Sequence, residues 1–325
     1  ITVSLNSLAK NVPPDLLAAL VEEGMWTPAQ GLAYARRVPY PWQRSDALAR
    51  LALHFPGLER ERILGEALAE AQMIELEEWR ASTLTGLASS LSVSQLREAL
   101  TMARAIQNKR QRAKALAGLV SHLPGPEREQ ALQEGMIAAR AIRDEYRRAD
   151  ALTALIPHLP VLAQEQALQE VLAIVWTIQD QYRRVRVWAR LIPYLPNSKR
   201  GQVVRETLQA ARAIQDRYQQ AKALTELTPN LPEPDREQAL QEALVAAQAI
   251  QDEFWRAAAL AELAPYLPEP LLHKALEAAR MIELKVGRAT ALAGLAPNLP
   301  EPEREQAWRE ALKTVRVSGD EQSQE

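Results

Sequence analysis

Apolar residues recur along most of this chain with helical spacing, and the pattern restarts at nearly regular intervals. After Arg148, apolar residues occupy positions 149, 152, 155, 156 and 159. This spacing places one apolar stripe on a helix of about 12 residues that begins near Glu145. A preceding stripe at Leu132, Met136 and Ala139 predicts a second, longer helix of about 16 residues. The pattern therefore predicts two helices in each repeat.

The apolar stripes keep a constant distance from one position of the repeat. We call the residues at this position the arginine column, because all but one of them are arginine and the other is glutamine. Successive members of this column are separated by 36, 32, 36, 36, 36, 36 and 32 residues. The column is Arg44, Arg80, Arg112, Arg148, Arg184, Gln220, Arg256 and Arg288. A fixed period in this range is typical of stacked helical repeats.

The two intervals of 32 residues lack about one helical turn of 3.6 residues, which keeps the apolar face in phase. Shortened second helices are predicted at Ser94–Gln107 and Pro270–Glu283. We predict an all-α fold, a right-handed or near-right-handed α-solenoid of eight to nine stacked helix-turn-helix repeats. The period is 36 residues, with two repeats of 32.

Local signals predict where the helices begin and end. An Asp precedes several first helices, as at Asp144 and Asp252, where its carboxylate can accept backbone N–H groups of the first turn. Prolines such as Pro157 and Pro193 should end the first helix, because the residue before a proline avoids helical geometry. In the segment Glu301–Glu305, proline is predicted at the first position of the second helix.

The two ends of the chain lack the repeating pattern. We predict a lead-in or cap over residues 1–24, the repeat array over residues 25–317 and a flexible tail over residues 318–325. Within the lead-in, Asp15–Glu22 has a helical pattern that Gly24 can close. The first residue is Ile1 and no charged-then-apolar leader follows it. We therefore expect the chain to be a piece of a longer protein.

Composition narrows the functional classes. The formal net charge of -2 gives no global attraction to nucleic acid or to anionic membranes. The absence of cysteine excludes disulfides and thiolate zinc sites and agrees with a reducing compartment. Without a run of 18 apolar residues, no membrane-spanning helix is predicted. We expect a cytoplasmic protein with no membrane partner.

The string Ala249-Ile-Gln-Asp-Glu-Phe-Trp-Arg-Ala-Ala-Ala-Leu260, followed by Leu-Ala-Pro-Tyr-Leu-Pro268, resembles degenerate helical-hairpin repeats of large bacterial proteins. Such arrays are similar to tetratricopeptide or HEAT repeats and often adjoin NACHT or STAND signalling modules. The resemblance covers roughly residues 12–317, but the 34-residue tetratricopeptide signature is absent. It implies a sensor or docking arm whose partner is a protein, a peptide or the rest of the same polypeptide.

Motifs that carry chemistry are missing from the sequence. It contains no phosphate-binding loop, no Gly-x-Ser-x-Gly elbow and no His-Glu-x-x-His pair. His54, His122 and His158 share one repeat position, but equivalent residues of neighbouring repeats should lie about 10 Å apart, too far for a shared metal. We predict no enzyme activity, no cofactor and no metal. The arginine column and an aromatic column two residues before it are interpreted as structural.

One stretch departs from the repeat. Residues 181–205 contain no acidic residue but seven positive charges. The candidate contact residues for an anion or an acidic partner are Arg183, Arg184, Arg186, Arg190, Lys199, Arg200, Trp176 and Trp188. The alternative interpretation is a solvated face together with a larger core residue.

These observations favour a non-catalytic protein-interaction or ligand-sensing scaffold, expected to belong to a larger bacterial signalling or defence protein. One alternative is a structural spacer or oligomerisation arm that recognises nothing. The second alternative is anion or nucleic-acid binding through the basic stretch, although the net charge of -2 makes nucleic acid an unfavoured partner.

Overall fold

The computed structural model of this protein describes residues 14–321. These residues divide into two compact segments, 14–177 and 178–321. Residues 1–13 of the predicted lead-in and residues 322–325 of the predicted tail lie outside the described residues.

All regular structure within residues 14–321 is helical. The first segment contains α1 (Pro14–Glu22), α2 (Pro28–Ala35), α3 (Pro41–Ala52), α4 (Gly57–Gln72), α5 (Glu77–Leu87), α6 (Val93–Ala105), α7 (Lys109–Val120), α8 (Gly125–Arg140), α9 (Glu145–Leu155) and α10 (Val161–Val175). The second segment contains α11 (Gln181–Leu191), α12 (Asn197–Arg212), α13 (Arg217–Leu227), α14 (Asp235–Gln248), α15 (Glu253–Leu263), α16 (Glu269–Arg280), α17 (Lys285–Leu295) and α18 (Glu303–Glu321).

Consecutive helices pair into hairpins, and the hairpins stack on their neighbours within each segment. We call the first helix of a repeat its A helix and the second its B helix. From α3 onward, odd-numbered helices are A helices and even-numbered helices are B helices. Within the described residues this gives eight repeats, preceded by α1 and α2. The all-α solenoid of stacked helix-turn-helix repeats is therefore confirmed.

The core of each segment is built from the apolar stripes that the sequence predicts. In the A helices, Leu116, Leu152, Leu224 and Leu260 are each at most 1% exposed. In the B helices, small residues such as Ala139 lie fully buried between the leucines, which lets neighbouring helices approach closely. Helix α18 runs to Glu321 and so extends into the stretch predicted as a tail.

Many helix ends follow the predicted signals, and Pro302 is a clear exception. The Asp144 side chain accepts a hydrogen bond from the backbone N–H of Arg147 at 2.7 Å, and α9 ends at Leu155 before a 3-10 turn that contains Pro157. Pro302 was predicted at the first helical position, but α18 begins one residue later, at Glu303, after a cis Glu301–Pro302 bond.

The arginine column has a shared structural role. In six of its members the guanidinium donates to the backbone carbonyl six residues earlier, in the loop between one B helix and the next A helix. These members are Arg44, Arg80, Arg148, Arg184, Arg256 and Arg288. At the glutamine position, Gln220 donates to the carbonyl of Arg212 at 2.8 Å. The column therefore satisfies carbonyls that the B helix leaves without a partner at its end.

The two 32-residue repeats have short B helices, α6 with 13 residues and α16 with 12. In the A helix that follows each of them, the residue six positions after the arginine column is a glycine, Gly118 or Gly294. A Cβ on Gly118 would lie 2.5 to 2.8 Å from the Thr85 side chain, and one on Gly294 would overlap Ala261. Because those distances are below normal van der Waals contact, the close approach of these A helices requires glycine.

Candidate interaction surface

Three of the predicted arginines share one face of α11. Arg183, Arg186 and Arg190 are spaced three and four residues apart, which aligns them on a helix. Arg183 and Arg190 are exposed. The Arg183 Nε lies 3.8 Å from Asp180 Oδ2, while Arg186 Nε donates to both carboxylate oxygens of Glu226 at 2.9 and 3.0 Å. Part of the positive charge on this face is therefore neutralised within the segment.

Two further cations of the basic stretch are used by the backbone. Arg184 donates to the carbonyl of Ile178 at 3.2 Å, as the rest of its column does. Arg200 Nη2 donates to the carbonyls of Pro193 and Leu195 at 3.1 and 3.0 Å. Lys199, by contrast, is exposed at the start of α12. The absence of acidic residues from positions 181–205 therefore overstates the positive charge available to a ligand.

The two tryptophans differ in environment. Trp188 is only 6% exposed and is a core residue of the second segment. Trp176 follows α10 in the first segment and is 61% exposed. Of the eight predicted residues, the exposed ones are Arg183, Arg190, Lys199 and Trp176.

A cluster of aromatic rings lies on the surface of the second segment. The Tyr218 and Trp255 ring centroids are 5.0 Å apart with an interplanar angle of 56°. Phe254 meets the same indole edge-to-face at 5.4 Å. Phe254 is 52% and Trp255 is 47% exposed, so both rings keep about half of their surface in water. We call Tyr218, Phe254 and Trp255 the aromatic cluster.

The first segment has an equivalent pair at the same repeat positions. Trp42 stacks on Trp79 with centroids 4.6 Å apart and an interplanar angle of 24°. In both segments, the first ring lies two residues before one member of the arginine column. The tryptophan that it contacts lies directly before the next member of that column. The partners are 37 residues apart in each case.

Trp79 and Trp255 lie directly before the arginine and so fall outside the aromatic column two residues before it. A purely structural role for that column predicts buried rings. Tyr146 is buried, but Phe254 is about half exposed. The signal that could have found the surface is an aromatic pair separated by one repeat plus one residue, because such a pair places rings on adjacent A helices.

Glu253, the residue directly before Phe254, links the start of α15 to the loop before α17. Its carboxylate accepts the backbone N–H groups of Leu284 at 2.6 Å and Glu283 at 3.1 Å. These donors, with smaller help from Arg256, lower the pKa of Glu253, so it stays ionised. Next to this contact, Leu284 and Val286 leave about half of their side chains exposed. Glu253 therefore fixes the start of α15 to a segment that carries further exposed apolar side chains.

The histidine column makes no shared site. Within the described residues, no group of three or more His, Asp and Glu side chains is arranged to hold a metal ion. Burial lowers the pKa of His158, and the nearby charges of Arg128 and His122 lower it further. The ring therefore favours its neutral form. None of the described helices is long and apolar enough to cross a bilayer.

Comparison with known proteins assigns no family. No protein-family model matches the sequence, and no curated protein is significantly similar. Among solved structures, Ton1535 from Thermococcus onnurineus NA1 is 15% identical, with 91% of this chain and 97% of that chain aligned and a TM-score of 0.37. A chain described under "Computational Design of Self-Assembling Cyclic Protein Homooligomers" is 16% identical over 99% and 96% of the two chains, with a TM-score of 0.12. Both scores are low, so the fold described above rests on this chain's own helices.

Proposed function

We propose that this chain is a non-catalytic repeat scaffold that binds a protein partner through the aromatic cluster. The single observation that carries the proposal is the meeting of three rings, Tyr218, Phe254 and Trp255, at a half-exposed surface. Tryptophan and tyrosine are enriched among the few residues that dominate the binding energy of protein interfaces. A partner that covers these rings removes their exposed apolar surface from water, which is favourable by about 25 cal/mol per Å² before the costs of association.

Rigidity of the surface also supports binding. Tyr218 and Trp255 belong to consecutive A helices, and Glu253 fixes the loop beside them through two backbone hydrogen bonds. Lys222 lies 5.6 Å from the centre of the Tyr218 ring and forms an ion pair with Glu262 at 2.9 Å. Preorganised side chains lose little conformational entropy on binding. Ring packing between A helices would also stabilise a spacer, but the half-exposed faces of Phe254 and Trp255 favour a binding role.

Anion or nucleic-acid binding through the basic stretch receives less support. Arg184 and Arg200 donate to backbone carbonyls, and Arg186 is paired with Glu226. The exposed cations Arg183, Arg190 and Lys199 are better suited to a modest electrostatic contribution at the edge of a protein interface, where charges mainly affect the association rate.

The wider context remains part of the proposal. The helical hairpins are similar to degenerate tetratricopeptide or HEAT repeats, and arrays of this kind often adjoin NACHT or STAND modules. We therefore propose a cytoplasmic bacterial signalling or defence protein in which this array is the sensor or docking arm.

Site-specific photo-crosslinking in cells of the source organism tests the proposal. A benzophenone amino acid replaces Trp255 in one variant and Tyr266 in a matched control. Tyr266 lies in the same repeat, is 44% exposed and sits in a 3-10 turn outside the cluster. We expect a discrete protein adduct from position 255 and none from position 266. Equal labelling at both positions, or none at either, would contradict binding through the aromatic cluster.

A further inference from the structure

The B helices are connected by a regular series of ion pairs. In five places, an Arg eight residues before a member of the arginine column binds a Glu that lies 30 residues further along the chain. The Arg and Glu side chains approach to between 2.7 and 3.1 Å. The pairs are Arg36–Glu66, Arg104–Glu134 and Arg140–Glu170 in the first segment, and Arg212–Glu242 and Arg280–Glu310 in the second.

We call the contact between two neighbouring B helices a junction. One junction of the second segment lacks the ion pair, because the Arg is replaced by a neutral residue and the Glu by a cation. Between α14 and α16 the Arg position is occupied by Gln248 and the Glu position by Lys274. Both side chains are exposed. Unlike the neighbouring pairs Arg212–Glu242 and Arg280–Glu310, this junction has a cation where the others have a carboxylate, and Lys274 forms no ion pair with another described residue.

The same junction is open. A groove of about 950 Å³ is lined by Gln248, Arg256, Lys274, Glu277, Ala278, Arg280 and Met281. Arg256 and Arg280 are held by Glu253 and Glu310 at 2.8 and 3.0 Å, so their charges already have counterions. Met281 is 79% exposed and adds an apolar surface to the groove.

We propose that this groove binds a carboxylate side chain of an acidic peptide segment. Lys274 Nζ supplies the charge, the Gln248 amide supplies a second donor, and Met281 contacts an apolar neighbour in the same segment. The carboxylate of the peptide supplies the negative charge that a Glu of the array supplies at the other junctions. The inference rests on the proposed function in assigning the segment to a protein partner.

A carboxylate suits the groove better than a phosphate. Glu277 lines the same groove and repels a dianion more strongly than a monoanion. The apolar surface of Met281 further favours a peptide in which acidic and apolar residues alternate.

The test uses variants that close the site by restoring the repeat. Gln248→Arg/Lys274→Glu rebuilds the missing pair. Lys274→Met removes only the charge. The matched control is Gln72→Arg, at the equivalent junction of the first segment, where Glu98 retains the acid. The probe is a fluorescein-labelled peptide of alternating Glu and Leu, with the Gln/Leu peptide and inorganic phosphate as competitors.

We expect saturable binding of the Glu/Leu peptide to the whole chain and to Gln72→Arg. Affinity should fall about tenfold or more, roughly 1.4 kcal/mol, in the rebuilt variant and in Lys274→Met, while circular dichroism stays unchanged. Equal affinity for the Gln/Leu peptide, full retention by the rebuilt variant, or displacement by phosphate alone would overturn the inference. So would the absence of peptide binding by the unmodified chain.

This experiment is independent of the crosslinking experiment. An adduct at position 255 without peptide binding refutes the groove and leaves the aromatic cluster intact. Peptide binding that the rebuilt variant abolishes, without any adduct at position 255, supports the groove and refutes the cluster as the partner-binding surface.

Discussion

The requirement for glycine beside the short repeats can be tested with a pair of identical substitutions. Gly86 and Gly118 occupy the same repeat position in successive A helices, α5 and α7. A Cβ on Gly86 would meet no atom within 4 Å, whereas one on Gly118 would lie 2.5 Å from Thr85 Oγ1, 2.6 Å from its Cγ2 and 2.8 Å from its Cβ. The local helix is therefore similar, and the neighbour differs.

The magnitudes follow from this geometry. Gly86→Ala should stabilise the protein by about 0.5–1 kcal/mol, since alanine loses less backbone entropy in a helix. Gly118→Ala gains the same stabilisation from the smaller loss of backbone entropy, but it forces Thr85 and α5 to move. Such overpacking costs about 1–3 kcal/mol. We expect the two variants to differ by about 1–3 kcal/mol, with Gly118→Ala the less stable.

Urea unfolding followed by far-ultraviolet circular dichroism measures both free energies. Thr85→Ala/Gly118→Ala should recover part of the loss, because it removes two of the three closest atoms, and a double-mutant cycle isolates this coupling. Equal midpoints for Gly86→Ala and Gly118→Ala, or a cycle without coupling, would refute the close approach of these two A helices.

Three further predictions concern stability. Leu224→Ala removes a fully buried side chain of α13 and should lower the free energy of unfolding by about 2–5 kcal/mol in urea titrations; an unmoved midpoint would show that the core register is wrong. Arg104→Ala breaks the pair with Glu134, whose partners are about one-third exposed, and should cost only about 0.2–1 kcal/mol in a thermal melt; a larger loss would mean that the pair is structural. Backbone N–H donors lower the pKa of Glu77 and Glu253 below the ordinary 4.5, so the stability they contribute is complete above about pH 4.5 and is lost as the pH falls further. The corresponding Glu→Gln double variant should lose less stability over that acidic range, and identical pH profiles would contradict this assignment.

The sequence predicts the fold well because local chemistry determines it. The 3.6-residue apolar period, the Asp caps and the prolines each act over a few residues, and the structure places helices α9 and α11 where these signals put them. The second helices of the short repeats end two or three residues earlier than predicted, at Ala105 and Arg280. At both places the chain leaves the B helix and turns before the next A helix begins, at Lys109 or Lys285.

The candidate site was less predictable because its contacts join separate repeats. Arg186 appeared unpaired along the sequence, yet its carboxylate partner Glu226 lies 40 residues further on. Arg200 is drawn to backbone carbonyls, and no side-chain pattern reveals such acceptors. Phe254 and Trp255 are surface residues only because their neighbours along the array leave them uncovered.

Binding affinity tests the central claim most directly. The partner recovered through crosslinking at position 255 is titrated against the whole chain, against Phe254→Ser/Trp255→Ser and against the control Tyr266→Ser, with unfolding midpoints measured in parallel. The account predicts that the double variant, although destabilised by loss of the Trp255–Tyr218 contact, stays folded at the assay temperature. It should lose at least about 2 kcal/mol of binding free energy, as expected for hot-spot aromatics, while Tyr266→Ser binds normally. Unchanged affinity in the double variant, or an equal loss in Tyr266→Ser, would contradict recognition through the aromatic cluster.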